Sequence, residues 1–221
     1  VRRGNLEVLQ FAYSQPGNGF GWLPPSVMEI AAARNHVKIV QWGCELHRRC
    51  GLWLKLEMNT GRMLKAAAAH GHLDVIRYMQ SAHHYRLSPQ DAMAAARNGH
   101  VHILEHCATQ NVPMDWTVAD QAMVLGHVPV LEWSMRQGMV NHYSIFDEAA
   151  NLGHVHVLDW AAACGMQPTN ETVEYAARGG HLKVLKWLHA RGLIGDTNRV
   201  LGYSGLSSDV QKWAHEHAVS Q

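Results

Sequence analysis

Seventeen His, four Cys and 18 Asp plus Glu residues give this 221-residue chain ample material for metal or acid–base chemistry. Their spacing decides what that material is for. The nearest approach to a metal set is Cys44-x2-His47-x2-Cys50, three soft ligands at helical spacing with His36 as a fourth. Thiolate and imidazole suit Zn²⁺, but the pattern is no zinc signature, and ordinary helix and loop residues are the preferred reading. The nearest approach to an acid–base group is His154-x-His156-x2-Asp159, yet Asp159 shares its register with Glu132 and Lys186, an interchangeable surface position. There is no Gly-rich phosphate loop. An enzyme is not expected, nor a cofactor.

The remaining His residues fall into order. Gly-His occurs at His72, His100, His127, His154 and His181, in steps of 28, 27, 27 and 27 residues. A period of this size marks a solenoid. Each copy opens the same apolar ladder: HLDVIRY, HVHILEH, HVPVLEW, HVHVLDW and HLKVLKW. Looser copies start at Asn5, His36 and Ser207, so the last ladder position reads Phe11, Trp42, Tyr78, His106, Trp133, Trp160, Trp187 and Trp213. Helices pack about 10 Å apart, whereas ligands of one zinc lie about 2 Å from it. The aligned His therefore cannot share an ion, and their expected role is to pin a turn by donating to a nearby carbonyl.

Two short elements must carry each ladder and its Gly-His. In the copy ending at Trp187, Glu171 to Arg178 is followed by Gly179-Gly180, and Leu182 to Ala190 by Arg191-Gly192. Val184, Leu185, Trp187 and Leu188 make one helical stripe, with Lys183 and Lys186 off it. Ala pairs recur in the first segment, at Ala67-Ala68, Ala95-Ala96 and Ala149-Ala150. Gly before His suits a left-handed helix end, and Pro89, Thr117, Ser144 and Thr169-Asn170 sit where caps belong. Helices this short are marginal alone and must bury their stripes on neighbouring repeats. The expected fold is all-α: a solenoid of helix-turn-helix repeats, one domain over 1–221 with about eight full or partial copies and irregular insertions at 14–25 and 43–60. The insertions are expected to add turns or a helix. The last copy, Asn198 to Ala218, reads as a partial cap or as a worn repeat. The opening in mid-repeat, without Met, reads as a piece of a longer array.

Net charge is +1, but it is unevenly laid down. Residues 1–100 carry 12 Lys/Arg and 6 Asp/Glu, residues 101–174 carry 1 and 9, and residues 175–221 carry 6 and 3, giving +6, −8 and +3. On a stacked array the acidic block makes a continuous zone, read either as able to steer a basic partner or as a solvated face without one. The Cys residues show no disulfide pattern; Cys107 and Cys164 read as small fillers. That usage suits a reducing, intracellular setting, cytoplasm or nucleus. No apolar run is long enough to span a membrane.

The string A-A-x-x-G-H-[LV]-x-[VI]-[LV]-x-W, as AARGGHLKVLKW from Ala176, AANLGHVHVLDW from Ala149 and AARNGHVHILEH from Ala95, resembles the core of an ankyrin-type repeat. It is most similar to the short, Trp-bearing arrays of oomycetes, protists and large DNA viruses. These copies are about six residues shorter than the usual 33, and the T-P-L-H opening is replaced by Glu171-Thr172-Val173-Glu174. The β-finger should be reduced to a tight loop, as at Gly138 to Asn141 and Gly165 to Pro168.

The resemblance implies a protein-interaction module that binds along a concave face built by the first helices and the loops before them. Aligned on the His, the outward positions are Glu29, Lys65, Met93, Asp120, Asp147 and Glu174, followed by Ala33, Ala69, Arg97, Val124, Asn151 and Arg178. Candidate partner-binding residues are Met93, Arg97, Asp120, Val124, Asp147, Asn151, Glu174 and Arg178, with Met114, Trp116, His142, Tyr143 and Asn170 from the loops. The stacked acids Asp120, Asp147 and Glu174 suggest a protein or peptide partner rich in Lys/Arg. Ladder Trp residues are expected in packing rather than base stacking, so nucleic acid is not an expected partner, nor is a small molecule. The alternatives are a spacer within a larger protein and, behind it, a metal-stabilised or nucleic-acid-binding module.

Overall fold

The structure is a computed structural model that describes residues 4–14, 23–51, 53–140, 145–169, 171–195 and 197–218, leaving aside the side chains of 53–59. Among the described residues every regular element is a helix. Contacts divide the chain into two compact units, Val1–Val118 and Ala119–Gln221.

In the N-terminal unit, α1 (Leu6–Ser14) is followed by three helix pairs: α2 (Pro25–Ala32) with α3 (Val37–Arg49), α4 (Trp53–Ala69) with α5 (Leu73–His83), and α6 (Pro89–Arg97) with α7 (Val101–Thr109). First helices stack on first helices, α2 on α4 on α6, and α3 packs on α5 in a second row. The division falls within α8 (Thr117–Leu125). The C-terminal unit continues with α9 (Val128–Arg136), α10 (Ile145–Leu152), α11 (Val155–Ala163), α12 (Thr172–Arg178), α13 (Leu182–Ala190), α14 (Asn198–Leu201) and α15 (Ser208–His217). Its rows are α10–α12–α14 and α9–α11–α13–α15. This is the expected repeat solenoid of stacked helix pairs. No strand occurs among the described residues of the inter-repeat loops, as at Gly165 to Thr169.

One device ends α4, α6, α8, α10 and α12. Gly153 adopts φ +77° and His154 follows it. Gly153 N–H donates to Ala150 and His154 N–H to Ala149, the paired closure that satisfies two of the carbonyls orphaned at a helix end. Ala67, Ala95, Ala122 and Ala176 accept from His72, His100, His127 and His181 in the same way. The Ala pairs are fully buried where the first helices stack.

Second helices bury the ladder. Val157, Leu158, Val184 and Leu185 have no exposed surface, each worth roughly 1.5–3 kcal/mol removed from water. Trp133, Trp187 and Trp213 are buried, while Trp42 and Trp160 are half-buried. The ladder ring packs backwards onto the preceding repeat: Trp187 meets Phe146 at 6.2 Å between ring centres and donates its indole N–H to Asp159 at 2.7 Å. Arg191 closes the group, 3.9 Å over the Trp187 ring and 2.9 Å from Asp159. Asp159 is therefore a scaffold residue, not an interchangeable surface one. Phe11 departs from the ladder pattern at 68% exposure.

The insertion at 43–60 is absorbed by lengthening two helices: α3 runs on to Arg49 and α4 begins at Trp53. Most of the insertion at 14–25 lies outside the described residues. In the final repeat the first helix shrinks to the single turn α14, while α15 packs on α13 and Thr197 donates its hydroxyl to the His217 carbonyl.

Candidate functional site

The repeated His residues reach further than their own turn. His72, His100, His154 and His181 place Nε2 2.7–3.1 Å from the carbonyls of Ala33, Ala69, Val124 and Asn151, each in the preceding repeat. That carbonyl is another of the orphans at the first-helix C-terminus. His102 and His156 add a second bond, to the carbonyls of Gly71 and Gly126. Each such His begins its own helix without a side-chain cap bond, the ring being occupied elsewhere. The ring lies on the preceding glycine: a Cβ on Gly71 would fall 2.8 Å from His100 Nδ1, and one on Gly153 2.6 Å from His181 Nδ1. Burial lowers the pKa of His72 and His100, against the raising effect of the carbonyl bond. These rings are scaffold clasps.

Cys44, His47 and Cys50 do not converge. Cys44 is buried, its thiol pushed up to about 12 by burial, His47 bonds through Nδ1 to the Gly43 carbonyl at 2.7 Å, and Cys50 is exposed at the end of α3. Among the described residues no three His, Cys, Asp or Glu side chains are gathered to hold a metal ion. Burial likewise pushes the Cys107 thiol up to about 12, consistent with a packing role.

What varies from repeat to repeat is a stripe on the first helices. At positions i, i+1 and i+4 it reads Glu29-Ile30-Ala33, Lys65-Ala66-Ala69 and Met93-Ala94-Arg97 in the N-terminal unit. In the C-terminal unit it reads Asp120-Gln121-Val124, Asp147-Glu148-Asn151 and Glu174-Tyr175-Arg178. Most of these side chains are half-buried or exposed, Val124 at 46%.

In the N-terminal unit two of the candidate residues come together. Met93 of α6 and Met114 line a cavity of about 230 Å³ with Pro89, Pro113 and Val118. Asp115 and Thr117 also line it, and Trp116 between them is 65% exposed. The loop is fixed by Asp115, whose carboxylate accepts from the Thr117 amide and hydroxyl. Arg97 is exposed on the same helix as Met93.

In the C-terminal unit the carboxylates divide by employment. Asp147 accepts from the hydroxyls of Thr169 (2.8 Å) and Thr172 (2.6 Å), fixing the entry to α12. Glu174 pairs with Arg178 at 2.9 Å along α12. Asn151 lends its carbonyl to His181 and leaves its side chain exposed. Glu148 of α10 is a functional candidate that alignment passed over, one position beyond Asp147 on an exposed stripe. Partial desolvation raises its pKa, and the charge of Asp120 on α8 raises it further. Asp120 is thus the acidic neighbour whose charge Glu148 feels. His142, Tyr143, Asn170 and the expected cap Ser144 lie outside the described residues. Neither a protein-family model nor a curated protein matches the chain.

Proposed function

We propose that the chain is a protein-binding module, an ankyrin-type array with reduced fingers, whose recognition surface is the varied stripe of the first helices with the loops leading into them. The carrying observation is the contrast between positions: Ala pairs, Gly-His and ladder recur, while the i, i+1 and i+4 residues, most of them half-buried or exposed, differ along the array. The apolar slot under Met93 and Met114 supports this reading, as does Trp116, an exposed aromatic of the type that anchors interfaces. A spacer would have no use for either.

In the C-terminal unit the partner segment is rich in Lys/Arg. A basic side chain beside Asp120 and Glu148 would meet two acids, the Glu148 pKa being raised first by partial desolvation and then by the charge of Asp120. The test is fluorescence anisotropy with labelled Lys/Arg-rich, neutral and Asp/Glu-rich peptide pools across a salt series. Binding confined to the basic pool and weakening with salt is expected. No binding, or binding blind to charge, would leave the spacer role as the better reading.

A further inference from the structure

A second cluster in the N-terminal unit has the opposite character and belongs to neither the stripe nor the clasps. Arg77, Gln80, Ser81 and His84 lie at i, i+3, i+4 and i+7 on one face of α5 and its end. With Tyr85, Arg86 and Gln110 they line a cavity of about 560 Å³. A second cavity, about 470 Å³, adjoins it through Arg86 and Gln110 and continues over Leu87, Val112 and Pro113. No Asp or Glu lines either one. Among the described residues neither Arg77 nor Arg86 has an ion-pair partner.

The polar groups are oriented as donors. Burial, and then the charge of Arg77, lowers the pKa of His106. Its ring donates from Nε2 to the Gln80 amide oxygen at 2.8 Å, and the Gln80 amide nitrogen donates to the Gln110 amide oxygen at 3.2 Å. That relay fixes which way each amide is turned, and it leaves the Gln110 –NH2 group as the free end. Some of the carbonyls at the ends of α5 and α7 are taken up by local closures, His84 N–H to Gln80, Tyr85 N–H to Met79 and Val112 N–H to Cys107. The Arg77 and Arg86 guanidiniums must outweigh the partial negative charge that the two helix ends keep.

The backbone at this place is also unlike its equivalents. The turns closing α3, α9, α11 and α13 use left-handed glycines, Gly51, Gly138, Gly165 and Gly192. The two turns beside the cleft use His84 (φ 56°) and Asn111 (φ 53°) instead. A side chain in that conformation costs on the order of 1 kcal/mol, less for Asn, and Asn35 at the end of α2 adopts it as well.

We propose that this cleft binds a phosphorylated Ser or Thr within an extended segment of a protein partner. The phosphate is held by the Arg77 and Arg86 guanidiniums and the Gln110 amide, and a neighbouring apolar side chain lies over Val112 and Pro113. Two planar guanidiniums offer paired donors to a dianion with three acceptor oxygens, a match that a carboxylate fills less well. The apolar continuation calls for a chain on at least one side of the phosphate, so free phosphate leaves half the cleft empty. Nucleic acid would want basic residues interleaved with a run of stacking aromatics, which two Arg and one Tyr do not supply.

The test uses the full chain and labelled peptide pools, degenerate except for a central phosphoserine or phosphothreonine. Matched pools carry unmodified Ser/Thr or Glu at the centre; inorganic phosphate and single-stranded RNA serve as competitors. The phosphorylated pool should bind about tenfold or more tightly than either match. Arg77→Gln with Arg86→Gln should remove that preference at an unchanged melting temperature, both side chains being exposed. Arg77→Lys, which keeps charge but loses the fork, should retain only part of it. Asp120→Lys with Glu148→Lys should leave it intact, which separates this site from the basic-peptide surface. Equal binding of the three pools, or a preference surviving the double Arg substitution, would overturn the proposal. So would competition by inorganic phosphate or RNA as effective as that by the phosphopeptides.

Discussion

Glycine and histidine share one turn but serve two repeats. Gly153 needs its left-handed backbone, and it must also lack a side chain because His181 of the next repeat lies on it. Gly180 has the same backbone, yet a Cβ there would meet only Ser207, at 3.5 Å. Gly180→Ala should therefore cost about 1–2 kcal/mol for the backbone alone. Gly153→Ala should cost about 1–3 kcal/mol more, for displacing the ring and opening its bond. Adding His181→Ala should erase that excess in a double-mutant cycle read by thermal melting; equal losses at the two glycines would deny the clasp. A pH dependence follows from the same geometry. His72, His83, His100 and His106 all have pKa values lowered from 6.5, chiefly by burial. The groups facing His72 and His100 are other imidazoles, His36, His70 and His102, with Asp74 beside His72. The fold holds these rings neutral, so their stabilising effect is complete above about pH 6.5 and is lost as pH falls through the lowered values. The melting temperature should drop between about pH 7 and 5, less so in His100→Gln, and a flat profile would contradict the assignment.

Helices, rather than single residues, decide how much each ladder position matters. Trp187 is covered by Phe146, bonded to Asp159 and lidded by Arg191. Trp187→Ala should cost about 3–5 kcal/mol, and half-buried Trp160→Ala clearly less, by chemical denaturation. Asp147→Lys should lower stability by about 1–3 kcal/mol, since it strips two hydroxyl bonds from the entry to α12. It is thus unsuited to probing recognition. The helix pairs, their order and the stacked Ala faces were legible in the sequence, because 27-residue spacing and helical periodicity are local signals. The bonds from Asp147 to Thr169 and Thr172 were not, nor was the reach of His181 back to Asn151. Both depend on how far one repeat is displaced against the next, which spacing alone leaves open. The extended α3 and α4 were only half legible: the insertion at 43–60 carried helical residues but nothing to say which neighbour would absorb them. The cleft at Arg77 and Arg86 was hidden for a related reason, being assembled from α5 and its end together with the loop after α7.

Charge distinguishes the two compact units, each taken by itself. The N-terminal unit carries the Arg77–Arg86 cleft and the Met93–Met114 slot, while the C-terminal unit carries the Asp120 and Glu148 carboxyls. With a net charge of +1 spread over blocks of +6, −8 and +3, whole-chain charge predicts little and local charge a great deal. Recurring residues build the stack, and on the proposed function the residues that change along it recognise the partner. The most direct measurement of that division is the affinity of a Lys/Arg-rich peptide for the full chain carrying Asp120→Lys and Glu148→Lys, taken beside its melting temperature. Affinity should fall at least about tenfold with the melting temperature nearly unchanged, since one like-charged pair replaces another at half-buried and exposed positions. Unchanged affinity, or a loss of affinity that merely follows a loss of fold, would contradict it.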